Sequence, residues 1–265
     1  MKLYFVTRLA ALALVLPTLG AAASARDLAR PDGVIELFTS QGCSTCPPAD
    51  KLFEEFATKG NLVALAYHVD YWDYLGWRDT LSNPDSTDRQ YAYSRAFGTR
   101  SVYTPQAVIN GRIHVNGAKR DDIADAFDEL NKAGEGLSVD VAIHETGDSM
   151  MIETGAAGKA PARKAHVLLI FFAPPQSVGM KKGENEGRTI TYWNAVTNVQ
   201  TAGVWRGEPA KYEIPDGNIP PDGGCAVLLQ AVGKDGAPGP ILGAAIYRKA
   251  AAEDETSLHE NAAAQ

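Results

Sequence analysis

Residues 33–69 change pattern twice, and no other feature constrains the fold as much. Residues 33–39, GVIELFT, are a short apolar run with the length and composition of a buried strand. From Pro47 the apolar positions respace. Ala49, Leu52, Phe53 and Phe56 fall at i, i+3, i+4 and i+7, one face of a helix, and Gly60 supplies its exit. Residues 62–69, LVALAYHV, are then almost continuously apolar, as a strand covered on both faces must be. Strand, helix and strand at this spacing predict a βαβ unit with a parallel strand pair.

The chain continues with a polar and aromatic segment, 70–83. Asn83 and Pro84 open a helix over 85–97 that Gly98 closes. Runs at 106–109 and 113–115 flank Asn110-Gly111, a hairpin signal. Residues 121–133 predict an amphipathic helix with Ile123, Ala124, Phe127 and Leu130 on one face and Gly134 as its stop. After Gly136 the period changes to two, with Leu137, Val139, Val141 and Ile143 alternating with polar residues. Strand-like runs follow at 150–154, 165–172, 189–199, 226–232 and 241–247, separated by Gly and Pro and without helical periodicity. That texture predicts an antiparallel β-sandwich-like domain.

Two of the three cysteines stand at the first strand–helix junction, in FTSQGCSTCPPAD. A thiol there faces unsatisfied backbone N–H groups and the positive end of a helix, which lowers its pKa. Cys43 is the expected nucleophile and Cys46 the buried resolving thiol. Pro47 disfavours a helical conformation at Cys46, so the helix is expected to start at Pro47 and activate Cys43 only mildly. The order strand, Cys-x-x-Cys, helix, strand, helix, hairpin, helix is that of the thioredoxin fold. The expected fold class is therefore α/β + β. A thioredoxin-like domain with a helical insertion would span 26–135, an antiparallel β-sandwich-like domain 136–249, and a flexible tail 250–265.

Two further stretches bear on the site. Tyr103-Thr104-Pro105 precedes the hairpin, where a thioredoxin-like protein carries a cis-proline that packs on the cysteine pair and offers backbone to the substrate. Pro105 is the candidate for that position and Thr104 for substrate contact; the competing reading is a trans proline opening an edge strand. HVDYWDYLGW, residues 68–77, follows the carboxyl end of the second strand, where open α/β sheets bind ligands. His68 and Asp70 are candidates for a proton relay, and Tyr71, Trp72 and Trp77 for the wall of a groove. The competing readings are a core histidine, a turn-capping aspartate and aromatic packing over a sheet edge.

The N-terminus reads as a secretory signal peptide over 1–25: Lys2 and Arg8, an apolar run at 9–20 too short to span a bilayer, and Ala23-Ser24-Ala25 as a cleavage signal. Cleavage removes two cations and no acid, so the net charge of −7 becomes −9. An acidic chain without basic clusters is a poor partner for nucleic acid or for an anionic membrane surface. A periplasmic or secreted location lets disulfides persist, and the odd count leaves at least one thiol outside an internal pair. Cys225, opening the apolar run CAVLLQAV, is the expected buried thiol.

ELFTSQGCSTCPPAD, HVDYWDYLGW, YTPQAVING and GENEGRTITYWNAV together resemble the domain-of-unknown-function 1223 family of exported bacterial proteins. The resemblance spans nearly the whole mature chain. It implies a thioredoxin-like fold, Cys43 and Cys46 as motif cysteines and Pro105 as the cis-proline, and it implies no activity.

The leading functional expectation is an exported thiol–disulfide oxidoreductase acting on a thiol- or disulfide-bearing protein or a small thiol, without a cofactor. Two alternatives stand beside it. One is a metallochaperone holding Cu(I) with Cys43, Cys46 and His68, a soft ligand set. The other is a binding module in which Cys43–Cys46 is a fixed disulfide and the β-rich part, with its GENEGR loop, does the recognising. Oligomeric state is not legible.

Overall fold

The structure is a computed structural model and describes residues 30–147, 149–158, 164–215, 219 and 223–249. The expected signal peptide and the tail from 250 lie outside the described residues. Strand β1 (Gly33–Thr39) leads through helix α1 (Pro47–Lys59) to strand β2 (Leu62–His68), parallel to β1 with Gly33 opposite Leu62 and Thr39 opposite His68. Helix α2 (Pro84–Phe97) starts at Asn83, whose side chain accepts from the Asp85 N–H, and ends at Gly98 in the left-handed region. Strands β3 (Gln106–Ile109) and β4 (Ile113–Asn116) form the hairpin, with Asn110 and Gly111 both at positive φ, and helix α3 (Arg120–Lys132) follows. These strands make one mixed sheet, ordered β2-β1-β3-β4. On α3 the buried residues are Ile123, Ala126 and Leu130; Ala124, expected inside, is exposed.

The second half is entirely β among the described residues, apart from a 3₁₀ turn. Strands β5 (Val141–Thr146), β6 (Ser149–Thr154) and β11 (Ala210–Pro215) form one sheet. Strands β7 (Ala165–Phe172), β10 (Val196–Trp205), β12 (Gly224–Val232) and β13 (Pro238–Arg248) form a second, and β8 (Gln176–Gly179) with β9 (Thr189–Tyr192) a two-stranded ribbon. The run 189–199, expected as one strand, breaks at Asn194, which adopts φ +47.

The expected fold class does not hold. Among the described residues the chain is mostly β, with thirteen strands and three α-helices, and the first half does not close as a thioredoxin-like α/β domain. Helices α1 and α3 cover one face of the mixed sheet, packing Leu52, Phe53, Ile123 and Leu130 on Ile35, Leu37, Ala64 and Ile109. The opposite face carries Val34, Phe38, Val63, Leu65 and Tyr67, and it is covered largely by strands: Leu168, Ile170 and Phe172 of β7, Ala226 and Leu228 of β12, and Ile241 and Ala244 of β13. The cause is the composition of α2. PDSTDRQYAYSRAF buries one large apolar side chain there, Tyr93, with Phe97 partly covered, so a second sheet must cover the rest. Strands β7 and β12 are apolar on both faces because their other side, Val167, Leu169, Phe171, Cys225, Val227 and Leu229, packs on β5 and β6. The layers are helices, mixed sheet, antiparallel sheet and three-stranded sheet.

Two asparagines at positive φ, a conformation this residue tolerates, join the halves. Asn110 Oδ1 accepts from Val34 N at 2.7 Å while its carbonyl accepts from Ile241 N at 2.9 Å. Asn194 Nδ2 donates to the Ala64 carbonyl at 2.8 Å, and its own carbonyl accepts from Ala66 N at 3.0 Å. Between the two central sheets lies a buried charge. Glu36 pairs with Arg89, whose Nη2 is 2.6 Å from Oε1, and accepts from Tyr93 Oη. Gln230 of β12 accepts from Arg89 at 3.0 Å and donates to Tyr93 Oη at 2.8 Å, closing the network.

Candidate functional site

The loop from β1 to α1 holds a disulfide between Cys43 and Cys46, with Cα atoms 5.4 Å apart. Helix α1 begins at Pro47, and Cys46 is its N-cap. Pro47 and Pro48 occupy positions where a helix has no partner for an N–H, so their missing hydrogens cost nothing. Cys46 is nevertheless helical, at φ −79 and ψ −34, and its carbonyl accepts from Ala49 N at 2.8 Å and Asp50 N at 3.0 Å. These two bonds offset the steric preference that a following proline imposes.

Four segments wall the disulfide. Cys43 Sγ lies 3.4 Å from Thr45 Oγ1 and 3.9 Å from the carbonyl oxygen of Thr104, whose peptide bond to Pro105 is cis. Trp72 Nε1 donates to Thr104 Oγ1 at 2.8 Å, fixing the 104–105 turn to the aromatic segment. Gly42 lies flat on Trp72: a Cβ there would stand 3.0 Å from the Trp72 Cβ and 3.1 Å from its carbonyl oxygen. Gln41 Oε1 accepts from Trp77 Nε1 at 2.9 Å and Thr80 N at 3.1 Å. From the β-rich half, Asn185 donates to the carbonyls of both Gln41 and Cys43 at 2.9 Å. Cys43 is 2% exposed and Cys46 fully buried, while Ser44 and Thr45 between them face solvent.

On the helix side of the sheet, by the first turn of α1, lies a buried polar cluster. Thr39 and His68, opposite each other on β1 and β2, share the face that Ile35, Leu37, Ala64 and Ala66 turn toward α1. Thr39 Oγ1 donates to Asp50 Oδ1 at 2.6 Å. His68 Nδ1 is 2.8 Å from Asp79 Oδ2, and the same carboxylate accepts from the N–H groups of Gln41 and Leu81, each at 2.8 Å. Tyr192 of β9 stands edge-on to His68 with ring centroids 4.8 Å apart. Burial pushes the Asp50 carboxyl up to about 7, against the opposing pull of the Thr39 hydrogen bond. Burial also acts against charge on Asp79, but His68 and the two backbone donors outweigh it and hold that carboxyl below its ordinary value. With Asp79 ionised and able only to accept, His68 Nδ1 carries the hydrogen between them.

A family model described as Protein of unknown function (DUF1223) matches residues 34–230. The chain belongs to the DUF1223 family. Among solved structures, this DUF1223 chain is similar to the crystal structure of protein AGR_C_4864 from Agrobacterium tumefaciens. The two are 43% identical with a TM-score of 0.73, over 82% of this chain and 94% of that one. A weaker likeness, to the sporulation control protein Spo0M of Bacillus subtilis, has 14% identity and a TM-score of 0.28 over 47% and 55% of the two chains. No curated protein matches the chain.

In this DUF1223 structure Cys43, Cys46, Thr104, Pro105 and Trp72 come together as one site. Tyr71 stacks obliquely beside Trp72 and donates to Gln90 Oε1 at 3.1 Å, and burial raises its phenol to about 12. His68 and Asp70 do not pair. Asp70 accepts from Thr87 Oγ1 of α2 at 2.7 Å, and His68 turns to Asp79 instead. Among the described residues no three His, Cys, Asp or Glu side chains are grouped to hold a metal, and Cys43 and Cys46 are bonded to each other. Cys225 packs inside β12 between two sheets. The reading by sequence passed over Asp50, Asp79, Asn185 and Tyr192. Asp50 left a trace: an acid amid the apolar positions Ala49, Leu52 and Phe53, four residues after Cys46. Asn185, inside the GENEGR loop, is buried.

Proposed function

We propose that this DUF1223 chain is an exported thiol–disulfide exchange protein that works through Cys43 and Cys46 on a thiol-bearing protein or small thiol. The observation that carries the reading is the asymmetry of the disulfide. Cys43 Sγ borders the Thr45 hydroxyl and the Thr104 carbonyl beside an exposed turn, whereas Cys46 is wholly enclosed. In this reading an incoming thiolate enters past the exposed Ser44 and Thr45, meets Cys43 and expels Cys46. The attack forms a bond to Cys43 Sγ and breaks the Cys43–Cys46 bond. A second thiolate then displaces Cys43, so that two thiols become one disulfide and the protein gains two electrons. Export is supported by the charged start, short apolar run and Ala-x-Ala signal of residues 1–25.

The test is a Cys46→Ser variant treated with oxidised glutathione, together with wild-type protein treated with dithiothreitol, both without denaturant. The expected results are one glutathione attached to Cys43 and full reduction of the wild-type pair. If the folded protein does neither while the unfolded protein does both, Cys43–Cys46 is a fixed structural link and the exchange reading fails.

A further inference from the structure

Three buried polar atoms on the α1 side of the mixed sheet have no hydrogen-bond partner among the described residues: Asp50 Oδ2, His68 Nε2 and Tyr192 Oη. Their side chains belong to one buried cluster. Thr39 joins Asp50 to the strand position opposite His68, and the Tyr192 ring meets His68 edge-on. Asp50 follows Cys46 by four residues, and Cys46 is already helical, so the two buried side chains emerge on the same face of the first turn of α1. A buried polar atom left without a hydrogen-bond partner is costly to the fold. Three in one cluster call for an explanation, and a proton-exchanging site supplies one.

We infer that Asp50 is the proton donor to Cys46: its free oxygen, in the cluster with His68 and Tyr192, holds the proton that Cys46 takes up when the disulfide opens. The inference rests on the exchange reading above. When a thiolate bonds to Cys43 Sγ, the electron pair of the broken S–S bond stays on Cys46 Sγ. The Asp50 carboxyl passes its proton to that sulfur and becomes a carboxylate. The second thiolate expels Cys43 as a thiolate, and Cys43 and Asp50 each take one proton from solvent. The sum is two thiolates and two protons consumed, one external disulfide and two protein thiols formed.

The surrounding groups suit Asp50 to this exchange. The cluster is built from Thr39 of β1, Asp50 of α1, His68 of β2, Asp79 of the segment after β2, and Tyr192 of β9. Burial brings Asp50 to about 7, where a carboxyl gives and takes a proton with equal ease, while Asp79 stays ionised on His68.

Reduction of the full chain by glutathione, followed from about pH 5.5 to 9 and normalised to thiolate, tests the proposal. In the wild type the normalised rate falls as pH rises past neutrality, by roughly a hundredfold, the low side of what a positioned acid contributes. Asp50→Asn removes that step. Tyr192→Phe keeps the ring on His68 and shifts the midpoint of the step, and it carries the test alone if Asp50→Asn does not fold. Wild-type pH profiles in the variants that fold overturn the proposal and leave the exchange reading standing. A wild type that exchanges at no pH defeats the exchange reading, and the inference falls with it.

Discussion

Asn185 Nδ2 lies 2.9 Å from the carbonyl oxygen of Cys43, which stands 142 positions earlier in the chain. The same amide reaches the Gln41 carbonyl, so the β-rich half pins two points of the disulfide loop with one buried side chain. Asn185→Ala leaves both carbonyls without that donor, and the expected loss is about 1–3 kcal/mol of stability. Urea midpoints measure the loss. Because the loop is freed next to Cys43, thiol reduction of the disulfide should also accelerate. Unchanged midpoint and unchanged rate would mean that Asn185 restrains nothing.

The pair Glu36–Arg89 gives a second prediction. Both side chains sit between the mixed sheet and the second sheet, and Arg89 also lies over the rings of Tyr67 and Tyr93, 5.4 and 5.1 Å from their centroids. Arg89→Met leaves Glu36 as an uncompensated buried charge, with an expected cost of about 3–5 kcal/mol. Adding Glu36→Gln to that variant should restore much of the loss, because the cost lies in the stranded charge more than in the lost contact. Equal stability of the single and double variants would refute this account.

These two cases show where local sequence was informative and where it was not. The βαβ pattern, the Asn110-Gly111 hairpin and the helix start at Pro47 depend on neighbours within a few residues, and the structure has them. What covers the second face of the mixed sheet depends on strands more than 100 positions away, and periodicity carries no record of that partner. A hint existed in β7: AHVLLIFF is apolar at every second position and also between them, which requires cover on both sides. Strand β11, AKYEIP, is edge-like and short; its alternation of Tyr212 and Ile214 with charged residues marked it faintly. The site divides in the same way. Cys43, Cys46, Thr104 and Pro105 could be read from motif and order of elements, whereas the pairing of His68 with Asp79 rather than Asp70 depends on how the 70–83 loop folds back.

Asp50 predicts an unusual dependence of stability on pH. Its folded pKa of about 7 lies above its ordinary value of 3.8, so between these limits the folded state binds more protons than the unfolded one. The stabilisation is fully present below about pH 4 and is lost as pH rises to about 7. Asp50→Asn should flatten that limb and leave the variant more stable than wild type above neutrality. The gain is on the order of 4 kcal/mol at 1.36 kcal/mol per pKa unit. Denaturation midpoints of the two proteins at pH 4 and pH 8 check this, and a constant difference between them would count against a buried, neutral Asp50.

Asp79 has the opposite sign. Its carboxyl is held below the ordinary value by His68 and by the N–H groups of Gln41 and Leu81, in spite of its burial. A depressed carboxyl stabilises the fold above its unfolded pKa, and that contribution disappears as pH falls through the folded value. Asp79→Asn should therefore lower stability at neutral pH, by about 1.5–3 kcal/mol for lost hydrogen bonds to a charged group. It should also make the acid limb shallower than in wild type, while Asn at this position can still accept from a backbone N–H. Because Gln41 hangs on Asp79 and the disulfide loop hangs on Gln41, the same variant should reduce faster at Cys43–Cys46. A variant with normal stability and normal reduction would show that the His68–Asp79 pair is not what fixes the loop above it.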